Sequence, residues 1–135
     1  MYNEHPTLLE KVISALTYLS AGFVGFVWII IMAVRRTYPS KFVMFHIMQS
    51  IFLRLGYVII NYVFWHVVNL ISYIPFINRI VRQVVYIFNQ PYVFGYSFMQ
   101  CIIYGTLMYL VVFAFMGLYA YIPVVSDIIK SNFRD

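Results

Sequence analysis

Long apolar stretches separated by short polar segments set the pattern of this chain. No Asp, Glu, Lys or Arg occurs in residues 12–34, 55–77 or 83–126. A transmembrane helix needs about 20 consecutive, predominantly apolar residues. The pattern therefore predicts three membrane spans, over residues 12–34, 43–71 and 92–116.

Polar and helix-breaking residues mark the boundaries between these predicted spans. Arg35 and Arg36 follow the first span, and the turn that contains Pro39 is expected to join the first two spans as a tight antiparallel hairpin. A polar segment that ends at Pro91 precedes the third span. This segment is expected to separate the third span from the helix before it, because a proline disfavours the helical conformation at the preceding residue. The charge-free stretch around that segment is long, so a fourth span is possible, although the proline divides the stretch early.

Two further segments are predicted as helices at the membrane surface. In residues 78–88 the polar side chains fall on one helical face and the apolar side chains on the other, the polar ones being Asn78, Arg79, Arg82 and Gln83. Such a segment is typical of an amphipathic helix that lies in the membrane interface. A short final helix is expected over residues 126–133. The predicted fold is an all-α integral membrane protein, a helical bundle of three transmembrane helices, with four possible, plus this interfacial helix.

The composition agrees with this pattern and bears on the location of the protein. Hydrophobic residues make up 64% of the 135 residues and charged residues 10%, whereas soluble proteins are about half apolar and a quarter charged. The first span is too long for the core of a signal peptide and is followed by two arginines, and the N-terminus lacks the Arg-rich and Ser-rich character of a transit peptide. We therefore expect a bacterial or organelle-encoded protein rather than an imported precursor.

The net charge of +5 comes from basic residues scattered at the span ends. They form no cluster of the kind that binds nucleic acid, and contact with anionic lipid headgroups accounts for them. Because Lys and Arg favour the cytoplasmic side, Arg35, Arg36 and Lys41 predict that the first loop lies on the cytoplasmic or stromal side. Three spans would place the C-terminus, with Lys130 and Arg134, on that side and the N-terminus on the opposite side.

The sequence lacks the patterns of an enzyme, a metal site or a disulfide. Cys101 is the only cysteine, so an internal disulfide is excluded. His46 and His66 lie on one predicted helix about 30 Å apart, too far to bind one ion. The acidic residues are not spaced for acid–base catalysis, and they are Glu4, Glu10, Asp127 and Asp135. With no catalytic motif present, we expect a protein that is not an enzyme and that binds no cofactor.

Two sequence blocks stand out at the edges of the apolar stretches. The first block opens the second predicted span and contains Phe42, Phe45-His46 and Met48-Gln49. The second block follows the third predicted span and contains Tyr119-Ala120, Ile122-Pro123 and Ser126-Asp127. In residue types, order and spacing, the two blocks resemble the Tic-twenty family. Its members are the membrane subunit of the chloroplast inner-envelope protein translocon and the bacterial relatives of that subunit.

The resemblance covers roughly residues 15–127 and is strongest at the two blocks. It implies a polytopic membrane protein that is a non-enzymatic component of a protein-translocation or membrane-protein-handling complex. The implied location is the bacterial plasma membrane or, for an organelle-encoded protein, the plastid inner envelope membrane. The implied partners are the lipid bilayer, further copies of the chain or other membrane subunits, and translocating polypeptides, but no nucleic acid. The chain departs from the family at two points. Members typically have four spans, and a basic residue often found in the first block is Met44 here.

Two other functions remain open from the residues alone. A small transporter or ion-conducting subunit would line its path with Arg54 and Asn61, whereas a structural membrane factor would transport nothing. Arg54 is the only charged residue inside a predicted span, and an arginine at the centre of a span costs about 2.5–3.5 kcal/mol on insertion scales. Arg54 therefore either snorkels or pairs with another group, or it lines a polar pathway.

The candidate site residues come from the two blocks and from the second span; they are Phe42, Phe45, His46, Met48, Gln49, Arg54, Tyr119, Pro123, Ser126 and Asp127. His46 and Gln49 share a helical face. There they would contact a neighbouring element or a passing substrate, or they would fix the first hairpin through hydrogen bonds.

Smaller features of the sequence predict local structure. Pro123 followed by Ser126-Asp127 predicts a helix stop and then a cap for the final helix, with a salt link from Asp127 to the first loop as an additional possibility. Ala21 and Gly25 have the spacing of small residues that lets two membrane helices approach closely.

Overall fold

The computed structural model describes residues 5–132, without the side chains of residues 130 and 132. This part of the chain is mostly helical, which confirms the all-α prediction. Its elements are α1 (Leu8–Leu19), α2 (Phe23–Val34), α3 (Lys41–Ser72), α4 (Pro75–Asn89), β1 (Pro91–Val93), β2 (Tyr96–Ser97), α5 (Phe98–Met116) and α6 (Val125–Asn132). Residues 56–106 form one compact unit, and the described residues before and after them form the other.

Two of the described helices, α3 and α5, are long and apolar enough to cross a membrane. α3 has 32 residues and covers the second predicted span. α5 has 19 residues and begins at Phe98 rather than at residue 92. The later start has a local cause, because residues 91–97 form the antiparallel hairpin β1–β2. The turn of this hairpin has positive φ at Phe94 (49°) and Gly95 (83°), as tight hairpin turns require.

The first predicted span is not one helix. The structure divides residues 12–34 between α1 and α2, each of 12 residues, and turns the chain at Ala21-Gly22. The turn is a Schellman motif, in which the Gly22 N–H donates to the Thr17 carbonyl at 2.7 Å and the Ala21 N–H to the Tyr18 carbonyl at 3.1 Å. The apolar pattern conceals this break because backbone groups and the hydroxyl of Ser20, rather than charged residues, make the turn.

α4 and α6 occupy the two segments predicted as surface helices. α4 covers residues 78–88, and its polar side chains line an open groove together with Pro75; they are Asn78, Arg79, Arg82, Gln83 and Tyr86. Within this groove, Arg82 Nε donates to Asn78 Oδ1 at 2.7 Å. α6 begins at Val125, and residue 133, where the predicted helix was to end, lies outside the described residues, as does Arg134.

α1 takes part in both apolar clusters that form the core of the unit containing it. One cluster joins Ile13 to residues of α3, namely Phe42, Val43 and Ile47. The other joins Ala15 and Tyr18 to Leu110, Val111, Ala114 and Ala120. α1 therefore brings the first block, on α3, close to the end of α5 and the second block.

Candidate functional site

The two sequence blocks meet in one buried polar cluster. Gln49 of α3 hydrogen-bonds to Ala120 and Ser126 of the second block, and Tyr18 of α1 joins Gln49 to His46. These five residues are at most 1% exposed. Residues that are distant in sequence, such as Gln49 and Ala120, which are 71 positions apart, therefore share one enclosed site.

Gln49 is the centre of this cluster. Its Nε2 donates to the Ala120 carbonyl at 3.1 Å and to Ser126 Oγ at 3.2 Å, and its Oε1 accepts from the Tyr18 hydroxyl at 2.7 Å. A side-chain amide offers two donor hydrogens and one acceptor oxygen, so every polar atom of Gln49 is used. Gln49 therefore ties α1, α3 and the second block together.

These bonds fix the orientation of the Gln49 amide. The Ala120 carbonyl can only accept, so the Gln49 nitrogen faces it and the Gln49 oxygen faces Tyr18. The Tyr18 hydroxyl donates to the Gln49 oxygen at 2.7 Å and lies 2.7 Å from His46 Nδ1. The tautomer of the His46 ring sets which atom donates in the contact between Tyr18 and His46.

Ser126 completes the network inside the second block. Its Oγ accepts from the Ile122 N–H at 2.8 Å as well as from Gln49, and it lies 3.5 Å from the Ala120 carbonyl, to which it donates. The predicted role of Ser126 as a cap for the final helix is therefore wrong. α6 already includes Val125, and the Ser126 hydroxyl is buried against α3 instead of facing the free N–H groups of α6.

Aromatic rings from both blocks surround His46. Phe42 and Phe45 meet its ring edge-on, with centroids 4.5 and 5.5 Å away. Tyr119 lies nearly parallel to the His46 ring at 6.2 Å and packs edge-on against Phe42 and Phe45. Edge-to-face aromatic pairs contribute about 0.5–1.5 kcal/mol each beyond their burial. The contact between the blocks is thus aromatic as well as polar.

Two buried polar atoms make no hydrogen bond among the described residues, and these are His46 Nε2 and Ser14 Oγ. The Leu118 backbone interacts with the His46 ring, but not with the distance and angle of a full hydrogen bond to Nε2. Because His46 is fully buried, this nitrogen faces protein rather than solvent.

Four of the predicted site residues lie outside the polar and aromatic cluster, and these are Met48, Arg54, Pro123 and Asp127. Met48 is partly buried, and Pro123 and Asp127 are exposed. Asp127 lies in the first turn of α6, where a carboxylate is favoured by the helix dipole, and it accepts hydrogen bonds from the Tyr121 hydroxyl at 3.0 and 3.2 Å. This hydrogen bond and the negative charge of Asp127 raise the pKa of Tyr121. The bond found for Asp127 thus lies within the second block, and not in the first loop.

Arg54, the charged residue inside the second predicted span, has a structural partner. Its Nη1 donates to the Ala21 carbonyl at 3.2 Å, at the turn between α1 and α2. Carbonyl groups at the C-terminal end of a helix attract cations, so Arg54 stabilises the end of α1. Asn61, the other residue considered for a polar pathway, donates to the Tyr57 carbonyl of its own helix at 2.9 Å.

Tyr18 was not among the predicted site residues, although it links the two polar residues of α3. A signal for it is present in the sequence. Ser14, Thr17 and Tyr18 recur at helical spacing within an apolar segment, and all three are buried. The Thr17 carbonyl also accepts from the Ser50 hydroxyl of α3 at 3.2 Å. This polar stripe marks the face of α1 that packs against α3.

Neither a set of metal ligands nor a relative identifies this cluster. Within residues 5–132, no group of three or more His, Cys, Asp or Glu side chains could hold a metal ion. Comparison with protein-family models, with curated proteins and with solved structures gives no match for this chain.

Proposed function

We propose that this chain is an integral membrane protein and a non-enzymatic component of a complex that translocates polypeptides or handles membrane proteins, similar to the Tic-twenty family. The observation that carries the proposal is the contact between the two blocks that resemble that family. Gln49 of the first block hydrogen-bonds to Ala120 and Ser126 of the second, 71 and 77 positions away. Two short motifs that form one buried network support the resemblance better than either motif alone.

The surfaces of the two long helices support a membrane location. Large apolar side chains are exposed along them, such as Ile60 (66%) and Trp65 (61%) of α3 and Met108 (60%) of α5. Contiguous apolar surface of this kind is rare on soluble monomers, and acyl chains solvate it well. The lipid bilayer is therefore the first partner that we propose.

The proposed complex needs further subunits. α3 and α5 are too few to enclose a path as wide as a polypeptide, so copies of this chain or other membrane subunits would complete it. The basic residues of the first loop, Arg35, Arg36 and Lys41, favour its placement on the cytoplasmic or stromal side, together with the C-terminus. The corresponding membranes are the bacterial plasma membrane and the plastid inner envelope.

A structural membrane factor without a transported substrate is the second candidate. The network around Gln49 favours it, because its residues are fully buried and join distant segments of the chain. A small transporter has less support. The two residues that would line its path, Arg54 and Asn61, each donate a hydrogen bond to a backbone carbonyl. These bonds give both side chains a structural role.

Photocrosslinking in native membranes tests the proposed function. The photocrosslinking residue replaces Tyr38 in the first loop, which is 95% exposed, because the first block itself is enclosed. A matched probe at Gln49, which is fully buried, serves as the control and should give adducts only within the chain.

We expect the Tyr38 probe to form adducts with secretory or imported polypeptides, or with subunits of a translocon, identified by mass spectrometry. Adducts with lipid alone, or only with further copies of this chain, would contradict a translocation role. They would favour the structural membrane factor instead.

A further inference from the structure

We propose that α1 and α2 form a re-entrant hairpin, which enters the membrane and leaves it on the same side, so that the outer face of α2 contacts the acyl chains of one leaflet. The inference rests on the membrane location proposed above. It replaces the single crossing expected for residues 12–34, and it places the start of α1 on the same side as the first loop.

The contacts between α1 and α3 show that these two helices run in the same direction. Positions in contact increase along both segments, from Glu10 with Ser40, through Tyr18 with His46, to Ala21 with Arg54. The start of α1 therefore lies beside the start of α3, and its end lies beside the middle of α3.

α2 returns along α3 in the opposite direction. A Cβ atom added at Gly22 would lie 3.4 Å from Ile51 Cγ1, and one added at Gly25 would lie 2.7 Å from Ile47 Cγ1. The atom added at Gly25 would also lie 2.7 Å from Thr17 Cγ2 of α1. In a continuous helix, residues with the separation of Thr17 and Gly25 are about 12 Å apart along the axis. The chain therefore reverses at the turn.

The length of the hairpin fits one leaflet. Each helix has 12 residues, which at 1.5 Å per residue gives about 18 Å, whereas the hydrocarbon core of a bilayer is about 30 Å thick. Arg35 and Arg36 follow α2 directly, and Glu10 of α1 accepts a hydrogen bond from Ser40. Both ends of the hairpin therefore carry charged groups beside the first loop.

The tip of the hairpin has its polar groups satisfied by protein. The turn bonds described above engage the N–H groups of Ala21 and Gly22, and Ser20 Oγ accepts from the Val24 N–H at 3.0 Å. Arg54 donates to the Ala21 carbonyl. Backbone groups at membrane depth require such partners because the bilayer core supplies no water.

The outer face of α2 is apolar. Phe23 is 65% exposed, Phe26 57% and Ile30 47%, whereas Gly25 on the opposite face is buried. α2 contains no charged, hydroxyl or amide side chain. The partner that matches this face is therefore hydrocarbon. Because α2 is too short to cross the hydrocarbon core, this face contacts the acyl chains of one leaflet.

Cysteine labelling with a membrane-impermeant maleimide tests the hairpin, using the full chain with Cys101→Ala. Single cysteines replace Leu8, Tyr38 or Tyr73, which are 78%, 95% and 86% exposed. We expect Leu8→Cys and Tyr38→Cys to be labelled from one side of sealed vesicles and Tyr73→Cys, beyond the other end of α3, from the opposite side. Labelling of Leu8→Cys and Tyr38→Cys from opposite sides would mean that residues 12–34 cross the membrane, and would refute the hairpin.

A nitroxide depth measurement gives a second readout. We expect a spin label at Phe23, near the tip, to lie close to the bilayer midplane, and one at Val34, at the base, to lie at the headgroups. A Phe23 label at the opposite headgroups would overturn the hairpin. Extraction with alkaline carbonate distinguishes the hairpin from the proposed membrane location. Release of the protein would contradict the membrane location. Retention of the protein, together with a Phe23 label at the opposite headgroups, would contradict the hairpin alone.

Discussion

At the scale of residues, Gln49 and Tyr18 show how a few polar side chains can specify one packing in a mostly apolar chain. Every polar atom of Gln49 has a partner, and the Tyr18 hydroxyl contacts both Gln49 and His46. In apolar surroundings an unpaired polar group is costly, so arrangements that leave these atoms unpaired are disfavoured. Apolar contacts alone would tolerate several registers of α1 on α3, and the cluster selects one of them.

A double-mutant cycle measures the bond between Tyr18 and Gln49. Tyr18→Phe and Gln49→Leu each remove one partner, and we expect a coupling free energy of unfolding of about 0.6–1.7 kcal/mol, the scale of hydrogen bonds between membrane helices. The measurement is equilibrium unfolding in mixed micelles. Met48→Leu is the control, because Met48 precedes Gln49 but lies outside the network, so its effect should add to that of Tyr18→Phe. Strict additivity of Tyr18→Phe and Gln49→Leu would mean that the bond contributes nothing.

The pair of Tyr121 and Asp127 makes a pH-dependent prediction. The hydrogen bond to Asp127 and its charge raise the pKa of Tyr121. The contribution of this pair to stability is therefore present below the ordinary tyrosine pKa of about 10 and is lost as the pH rises through the raised value. We expect Asp127→Asn to lower the pKa of Tyr121 toward its ordinary value.

An absorbance titration, taken as the difference from the matching Tyr121→Phe protein, isolates this one tyrosine among the 13 in the chain. An unchanged Tyr121 pKa in Asp127→Asn would contradict the pairing.

At the scale of elements, α2 and α4 differ in how closely they pack against the rest of the protein. α2 approaches α1 and α3 closely because Gly25 has no side chain, and any Cβ there would collide with Ile47 and Thr17. α4 buries none of its residues. Its polar groove, with Arg79 and Arg82, and its apolar side therefore both face whatever surrounds the protein. The position of α2 is thus set by packing within the protein, whereas the surface of α4 is available to the surroundings of the protein.

Gly25→Ala tests the close approach of α2. We expect it to lower the free energy of unfolding by about 1–3 kcal/mol, because the added methyl group overpacks the contact with Ile47 and Thr17. Gly56→Ala is the matched control, since a Cβ there meets nothing within 4 Å, and the better helix propensity of alanine should stabilise α3 by up to about 1 kcal/mol. Unfolding in the same detergent compares the two variants, and equal effects would contradict the packing of α2.

The groove of α4 predicts a preference for anionic lipid. Arg79 and Arg82 line it, and no acidic residue is among its described lining residues. Basic residues near an anionic surface contribute about 1 kcal/mol each. We therefore expect the double substitution Arg79→Gln and Arg82→Gln to reduce the phosphatidylglycerol adducts retained in native mass spectrometry, with phosphatidylcholine adducts unchanged. An equal loss of both lipids would show that charge is not the cause.

At the scale of the whole molecule, the chain combines much exposed apolar surface with few charges, and Arg54 of α3 contributes to internal structure. Arg54 bonds to the Ala21 carbonyl instead of to a second charged group. An apolar exterior with few charges is expected of a protein whose solvent is lipid. These properties agree with the membrane location proposed above.

Arg54→Leu separates a structural role from conduction. Loss of the bond to Ala21 is expected to lower the free energy of unfolding by about 1.5–3 kcal/mol, the scale of hydrogen bonds to charged groups. Ion and solute flux into vesicles that contain the protein should stay the same. Arg54→Lys keeps a donor and should recover part of the stability. A changed flux at unchanged stability would contradict the structural role and favour a conducting subunit.

The sequence by itself determined the helical class, the approximate positions of α3 and α4, and most of α5, because charge-free length and amphipathic spacing are local properties. It also singled out His46, Gln49 and Ser126, since polar residues at the ends of apolar segments are conspicuous. It could not show which groups these residues bond to. Their partners lie far away in the chain, so only the packing of α1 against α3 and α5 brings them within hydrogen-bond distance.

Only the tertiary structure decided the path of residues 12–34. The apolar pattern there is compatible with one long helix, because the turn at Ala21-Gly22 is made by backbone hydrogen bonds and by the hydroxyl of Ser20, with no charged residue to mark it. Contacts of Gly25 with Ile47, and of Arg54 with Ala21, hold the reversed chain in place. Such contacts depend on the positions of two helices in space, a property that hydrophobic periodicity along one helix does not contain.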